Sequence, residues 1–235
     1  AADGIDGSTR MLWEECAHVG MPRAVVITKL DSPRADFDAG VAQCQATFGQ
    51  GVLPLYLPVR ANPEAAPHGL VGLVTQQVGE YADGRRTSRA ATSSEVNAAS
   101  AARNELLEGI IAEREDESLM DRYLAGEEID QKVVIDDLEK AVARGSFYPV
   151  LGASAPSMLG TAELLELLAR AFPSPLEHPL PAVTKLDGSS LPPLTCDPAG
   201  PLAAEVVKTT TDPYVGRLAY FRVYGRHAGT WNVRG

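Results

Sequence analysis

The sequence predicts an α/β fold built on a parallel sheet, and three observations carry that reading. Helix-like and strand-like periods alternate along the first part of the chain. The run Ala24-Val25-Val26-Ile27 is apolar at every position, as befits a strand covered on both faces. Of the 235 residues, 45% are hydrophobic, enough to bury a sizeable core.

Residues 8–19 read as a helix with Met11, Leu12, Cys16 and Val19 near one face, stopped by Gly20 and Pro22. The first strand, Ala24–Ile27, follows. Phe37, Val41, Cys44 and Phe48 recur at helical spacing, so residues 35–48 form an amphipathic helix ending at Gly49. Gly51–Leu57 reads as another strand, with Pro54 marking an edge or a bulge. A further strand-like pair surrounds Gly69–Val74. Tyr81–Ser100 is polar and without period, and is expected to be a solvated loop.

From Ala101 to Arg144 the pattern is helical. Leu106, Leu107, Ile110 and Ile111 make one stripe; Ile129, Val133, Val134, Leu138 and Val142 make another, with Gly145 at a C-cap position. The charged run Glu113–Glu117 reads as a solvated face. Phe147–Leu151 is a further buried strand, and Gly152-Ala153-Ser154-Ala155 a tight loop after it. Thr161 is expected to cap a helix over Ala162–Phe172, ended by Pro173 and Pro175. Residues 173–201 are rich in proline, lack a period and read as a linker. Beyond them, the alternation of Leu218, Tyr220, Arg222 and Tyr224 reads as half-buried strands, in a stretch too short to be a β domain alone.

Composition narrows the function classes. A net charge of −10, with 22% charged residues, favours a soluble, monomeric surface and argues against a basic nucleic-acid footprint. Cys16, Cys44 and Cys196 are few, odd in number and far apart, and read as reduced thiols of a cytoplasmic protein. No apolar run approaches the roughly 18 residues of a membrane helix. The opening AADGIDGSTR has no signal-peptide character. It does not begin with Met, so a fragment or a processed chain is expected.

The string Thr-Lys-Leu-Asp occurs twice, at residues 28–31 and 184–187. Only the first ends a buried strand, and ligands of parallel sheets bind outside the carboxyl ends of strands. A carboxylate there accepts two N–H donors from a guanine edge, the ring N–H and the exocyclic amine. Adenine presents an acceptor in place of that ring N–H, so Asp31 discriminates, by about 1–3 kcal/mol on the scale of other base-edge pairs. Lys29 lays its aliphatic stem along the base face while its head stays solvated. Thr28 bonds a backbone group but lacks amide donors. Ser154-Ala155 also follows a buried strand, and a backbone N–H there can meet the guanine carbonyl. Alone, each motif fits an ordinary strand-to-helix turn equally well; together they make a base-reading pair. The string at 184–187 follows the proline-rich stretch, runs into Gly188-Ser189-Ser190, and reads as a turn.

With these residues placed, a resemblance becomes specific. Ala1–Ile5 resembles the end of the strand that follows a DxxG motif. Thr28–Asp31 matches an NKxD guanine motif except at its first residue, Ser154-Ala155 matches an SA motif, and Phe172-Pro173-Ser174-Pro175 matches a closing LPSP. The string TDPYVGRLAYFRVY, residues 211–224, is very like the opening strands of a following β-barrel domain. Over essentially all its length the chain is similar to elongation factor G-like translational GTPases.

The resemblance implies a truncated P-loop-GTPase-type parallel sheet with an inserted α+β subdomain. Residues 1–176 would be the C-terminal part of a GTP-binding (G) domain, with the insertion at about 52–140. Residues 177–200 would be a linker and 201–235 the first strands of β-barrel domain II. It also implies that Thr28, Lys29, Asp31, Ser154 and Ala155 contact the base of GTP or GDP, with Mg2+ only in an intact parent. The implied partner is the ribosome, with no membrane and no DNA, and the implied process is translocation driven by GTP. The Asn-to-Thr departure at position 28 keeps open a non-hydrolysing, ribosome-binding regulator on the same scaffold.

No GxxxxGKS/T string and no DxxGH string occurs in the 235 residues. The chain alone is therefore expected not to hydrolyse GTP, and no catalytic or metal-ligating residue is assigned. His18, His68, His178 and His227 match no catalytic position and read as surface or packing residues. Trp13 reads as packing, Trp231 as an aromatic near the chain end, and Arg217 and Arg222 as the solvent face of a strand.

Overall fold

The computed structural model describes residues 3–112, 118–125, 127, 129–177 and 180–225. Ala1-Ala2, the run 113–117, His178, and residues 226–235 with His227 and Trp231 lie outside the described residues. Two compact units are present, Ala1–Phe172 and Pro173–Gly235.

The first unit is mixed α/β. In chain order it holds α1 (Gly7–His18), β1 (Val25–Ile27), α2 (Phe37–Phe48), β2 (Val52–Pro54), β3 (Tyr56–Val59), β4 (Gly69–Gly72), β5 (Gln77–Ala82) and β6 (Arg85–Ala90). Then come α3 (Ser93–Ala112), α4 (Ser118–Leu124), α5 (Gln131–Arg144), β7 (Tyr148–Gly152) and α6 (Thr161–Arg170). Strands β1, β7 and β2 form a parallel sheet in that spatial order. Its register pairs Val25 with Val150 and Ile27 with Gly152 on one side, and Val52 with Tyr148 on the other. Strands β3–β6 form an antiparallel sheet in sequence order.

The central strand, β7, is covered on both faces. Val150 packs with Ile27, Leu30, Phe37 and Val41, while Leu151 packs with Leu53, Leu106, Ile110, Val142 and Leu167. Successive side chains of a strand point to opposite faces, so one apolar run feeds both cores. Pro54 sits in β2, at an edge of the parallel sheet, where its missing N–H costs no ladder bond.

Several expectations are corrected. The run 24–27 is not buried on both faces: β1 is an edge strand, and Val25 and Val26 are only half-buried. Helix α1 buries none of its residues; Met11, Leu12 and Val19 are 58%, 60% and 63% exposed. Its packing residue is Trp13, stacked on Phe48 at 4.2 Å and edge-on to Tyr148 at 4.8 Å, with the Arg23 guanidinium 4.7 Å from the indole centroid. Thr161 does not cap α6. Gly160 holds that position, and Thr161 Oγ1 donates to the Met158 carbonyl at 2.7 Å.

The largest correction concerns residues 81–100, which form no loop. Asp83-Gly84, both at positive φ (51° and 70°), turn β5 into β6 as a two-residue hairpin. Strand β6 is almost wholly exposed, so it shows no apolar alternation to read. Helix α3 then opens on a reciprocal capping box: the Thr92 N–H donates to Glu95 Oε2 (2.8 Å), and the Glu95 N–H to Thr92 Oγ1 (3.3 Å). Arg89 clamps the same carboxylate through both terminal nitrogens (2.8 and 2.7 Å) and reaches Glu80 through Nε (2.7 Å).

Among the described residues of the second unit, β8 (Ala204–Asp212) and β9 (Gly216–Val223) pair as a hairpin. Asp212 Oδ1 accepts the N–H groups of Tyr214 (2.8 Å) and Val215 (3.0 Å), and Gly216 closes the turn at φ 81°. Leu218 and Tyr224 are half-buried as expected, but most of both strands is exposed, with Tyr220 at 53% and Phe221 at 52%. A single hairpin has no second layer on which to bury an apolar face.

The Arg89 hydrogen bonds hold the Glu95 carboxyl down at about 2, against an ordinary 4.5. A carboxyl depressed in the folded state contributes stability above its unfolded pKa and loses it as pH falls through the folded value. Urea unfolding should therefore show stability falling between about pH 5 and pH 2. Glu95→Gln should flatten part of that slope and cost about 1 kcal/mol at pH 7.

Candidate functional site

The sequence-predicted residues converge because the β1–β7 pairing runs on beyond both strands. The Ala153 N–H donates to the Ile27 carbonyl (2.9 Å), and the Leu30 N–H to the Ala153 carbonyl (3.1 Å). The backbone then turns: Lys29 lies at φ 60°, and the Ser32 N–H bonds the Lys29 carbonyl at 3.0 Å. A left-handed residue costs strain unless its surroundings hold it. Here the hold is Leu30, which is fully buried in the apolar cluster with Phe37, Val150 and Leu159.

Gly152 makes room for that anchor. A Cβ there would stand 2.5 Å from Leu30 Cδ1 and 3.2 Å from Phe37 Cε2. With Leu30 pinned inside, Thr28, Lys29 and Asp31 are left exposed at the carboxyl end of β1. Lys29 Nζ lies 3.9 Å from Asp3 Oδ2, but both side chains are more than 70% exposed, so the pair contributes little.

At the neighbouring strand end, Ser154 is 1% exposed and Ala155 is exposed. Ser154 Oγ donates to Asp31 Oδ1 at 2.8 Å across 123 residues of sequence. Its own N–H donates to the Leu159 carbonyl at 3.0 Å, folding the loop back on itself. Gly160 allows this at φ 81°, where a Cβ would collide with the Gly152 carbonyl. Thr28 also lines an open groove of about 580 Å³ between α1, β1 and α2, with Trp13, Gln43 and Phe48.

All five sequence-predicted residues thus lie at two adjacent strand ends, and Asp31 and Ser154 are directly bonded. Sequence reasoning missed the hydroxyl of Ser154 as the partner of Asp31 and missed Leu30 as the anchor. The signal for Leu30 was present: one large apolar residue between two charged ones, opposite a glycine. Chemically, the arrangement is an exposed carboxylate of fixed direction beside a loop backbone, suited to a ligand edge with paired N–H donors.

The second Thr-Lys-Leu-Asp string differs in each of these respects. Thr184 bridges Ser190, the Gly188 N–H bonds the Lys185 carbonyl (2.9 Å), and Asp187 Oδ1 accepts from both the N–H (2.9 Å) and Oγ (2.6 Å) of Ser189. The Asp187 carboxyl is lowered by those Ser189 bonds, and Leu186 is fully exposed. It is a local turn. Among the described residues, no group of three or more His, Cys, Asp or Glu could hold a metal ion.

The elongation factor Tu GTP binding domain family matches residues 1–174. Elongation factor G-like proteins from two strains of Mycobacterium tuberculosis are each 54% identical over 224 residues, covering 95% of this chain and 30% of the relative. A crystal structure of a Thermus thermophilus protein aligns with a TM-score of 0.73 and 31% identity, over 95% of this chain and 30% of that one. The chain therefore spans under a third of the length of the curated relatives it matches.

The two strings predict opposite outcomes for one substitution. Leu30→Ala should cost about 2–5 kcal/mol in urea unfolding. Leu186→Ala should stay within about 0.5 kcal/mol of the parent chain.

Proposed function

The chain belongs to the elongation factor Tu GTP binding domain family, and we propose that its strand-end site reads the guanine base of GTP or GDP. The carrying observation is the Ser154–Asp31 hydrogen bond, which fixes an exposed carboxylate between the carboxyl ends of β1 and β7. In this reading Asp31 accepts the ring N–H and exocyclic amine of guanine. Ser154 keeps the carboxylate aimed. The Ala155 N–H meets the guanine carbonyl, the Lys29 stem covers one base face, and Thr28 braces the loop. The donor set suits this ligand, since an ionised carboxylate only accepts and guanine offers two adjacent donors there.

The phosphates and Mg2+ of the nucleotide need a phosphate-binding loop and metal-holding oxygens. No GxxxxGKS/T string occurs in the sequence, so the contacts proposed for these residues are with the base. We propose residues 1–176 as part of a G domain, interrupted by an insertion at about 52–140 and followed from 201 by the first strands of a barrel domain. The pairing of β2 with β7 supports an excursion of this kind: β2 itself, Val52–Pro54, belongs to the parallel sheet, which the chain leaves after Pro54 and rejoins at Tyr148.

For the whole protein we propose GTP-driven work at the ribosome, in keeping with its likeness to elongation factor G-like proteins. Thr28 in the usual place of Asn favours a second reading, a ribosome-bound regulator that does not hydrolyse GTP. Single-turnover hydrolysis by the whole protein with added ribosomes separates the two: stimulated phosphate release supports the first, and its absence supports the second.

Two binding measurements test the base site. By calorimetry these 235 residues alone should bind GDP at high micromolar or weaker, because phosphate and metal contacts are missing; sub-micromolar binding refutes this partition. Asp31→Asn replaces an acceptor pair with one donor and one acceptor. It should weaken GDP at least tenfold, and favour xanthosine diphosphate, which carries a carbonyl where guanine carries its amine. Unchanged base preference would remove Asp31 from the site.

A further inference from the structure

We propose that Tyr81, Arg86 and Glu163 are positioning residues for the 154–160 loop, so that the β5–β6 hairpin sets the order of that loop. The nucleotide consequence rests on the base-reading proposal above; the mechanical part does not. Glu163 stands in the first turn of α6 and is 1% exposed. Its carboxylate has two partners. Oε1 accepts from Arg86 Nε at 2.8 Å, and Oε2 accepts from the Tyr81 hydroxyl. Tyr81 and Arg86 are directly paired across β5 and β6, so one cross-strand pair grips one carboxylate.

The approach is built into the backbone. Gly79, two residues before Tyr81 on the same face of β5, lies under the ion pair. A Cβ there would stand 2.7 Å from Glu163 Oε1 and 2.9 Å from Arg86 Nε. Burial and the Glu163 carboxylate push the Tyr81 phenol well above its ordinary range, so it remains a donor. Removing one partner from a buried carboxylate leaves charge poorly compensated, which gives the first turn of α6 a strong preference for this one position.

That turn is continuous with the loop. The Thr161 N–H and hydroxyl both donate to the Met158 carbonyl (3.2 and 2.7 Å), and the Leu164 N–H donates to the Gly160 carbonyl (2.9 Å). The Met158 N–H donates in turn to the Ala155 carbonyl at 3.2 Å, and the Ser154 N–H to Leu159. Leu159 and Tyr81 share the apolar cluster that holds Leu30. Displacing the hairpin therefore releases α6's first turn, then the loop, and then the Ser154 hydroxyl that aims Asp31.

The test combines amide hydrogen exchange by NMR with GDP titration of the 235-residue chain at millimolar nucleotide. Tyr81→Phe, which removes only the hydroxyl, and Glu163→Gln should speed exchange at Ser154 and Met158 at least tenfold relative to the amides of β7. Both should weaken GDP threefold or more. Ile110→Val, which trims the core on the other face of the sheet, should change global stability without changing either ratio. Loop amides that track β7 in every variant overturn the proposal, as does Ile110→Val giving the same loop effect. Faster loop exchange with unaltered GDP affinity overturns the coupling. If the parent chain shows no GDP-induced shifts at Ser154 and Ala155, the base reading fails, and the exchange ratios still decide whether the hairpin positions the loop.

Discussion

The parallel pairing of β1 with β7 carries the rest of the structure. It joins segments more than a hundred residues apart in sequence, and its ladder continues past the strands through Ile27, Ala153 and Leu30. Because the ladder runs on, the two following loops emerge side by side with their polar groups facing the same edge. Gly152 is the condition for this. Its missing side chain is the space that Leu30 and Phe37 fill, and without Leu30 inside, the residues around it would have no fixed direction. The Asp31–Ser154 bond is then a consequence of register rather than a separate invention.

The two apolar clusters divide labour across that sheet. One lies under β1 and α2 and reaches Leu159 and Tyr81; the other joins β2, α3, α5 and α6 through Leu53, Ile110, Val142 and Leu167. Strand β7 feeds both. The antiparallel sheet β3–β6 is tied in by backbone, by side-chain pairs to α3 and by packing into both clusters. Leu55 carries the chain from one sheet to the next, its N–H on the Val150 carbonyl and its own carbonyl on the Leu73 N–H. The Tyr81–Arg86–Glu163 cluster closes the far end. These contacts put the antiparallel sheet directly against the first turn of α6, next to the loop that carries Ser154.

Much of this was legible in residue patterns. The apolar run at 24–27, the helical spacing of Phe37, Val41, Cys44 and Phe48, and the apolar strand ending at Leu151 each have one period and few rivals. Where reading failed, the stabilising groups were not apolar. Strand β6 pairs through its backbone and through Arg86 and Arg89, which look like solvated charges in a sequence. The start of α3 rests on Thr92 and Glu95, a four-residue capping signal inside a small, polar stretch. Helix α1 erred in the opposite sense: its apolar stripe is exposed, and Trp13 on another face makes the contacts.

By itself the sequence determined the kind of fold and the family it resembles, because these depend on local period and short motifs. The two identical Thr-Lys-Leu-Asp strings differ in sequence only by what flanks them; tertiary structure supplies the reason for the difference, since Leu30 is wholly buried and Leu186 wholly exposed. The physical reason is that a motif's polar residues point usefully outward only when the apolar residue between them has a core to enter. Likewise, only the fold places Glu163 against a tyrosine and an arginine about eighty residues earlier, since the partners of a buried charge are chosen by packing and leave no periodic trace in the chain.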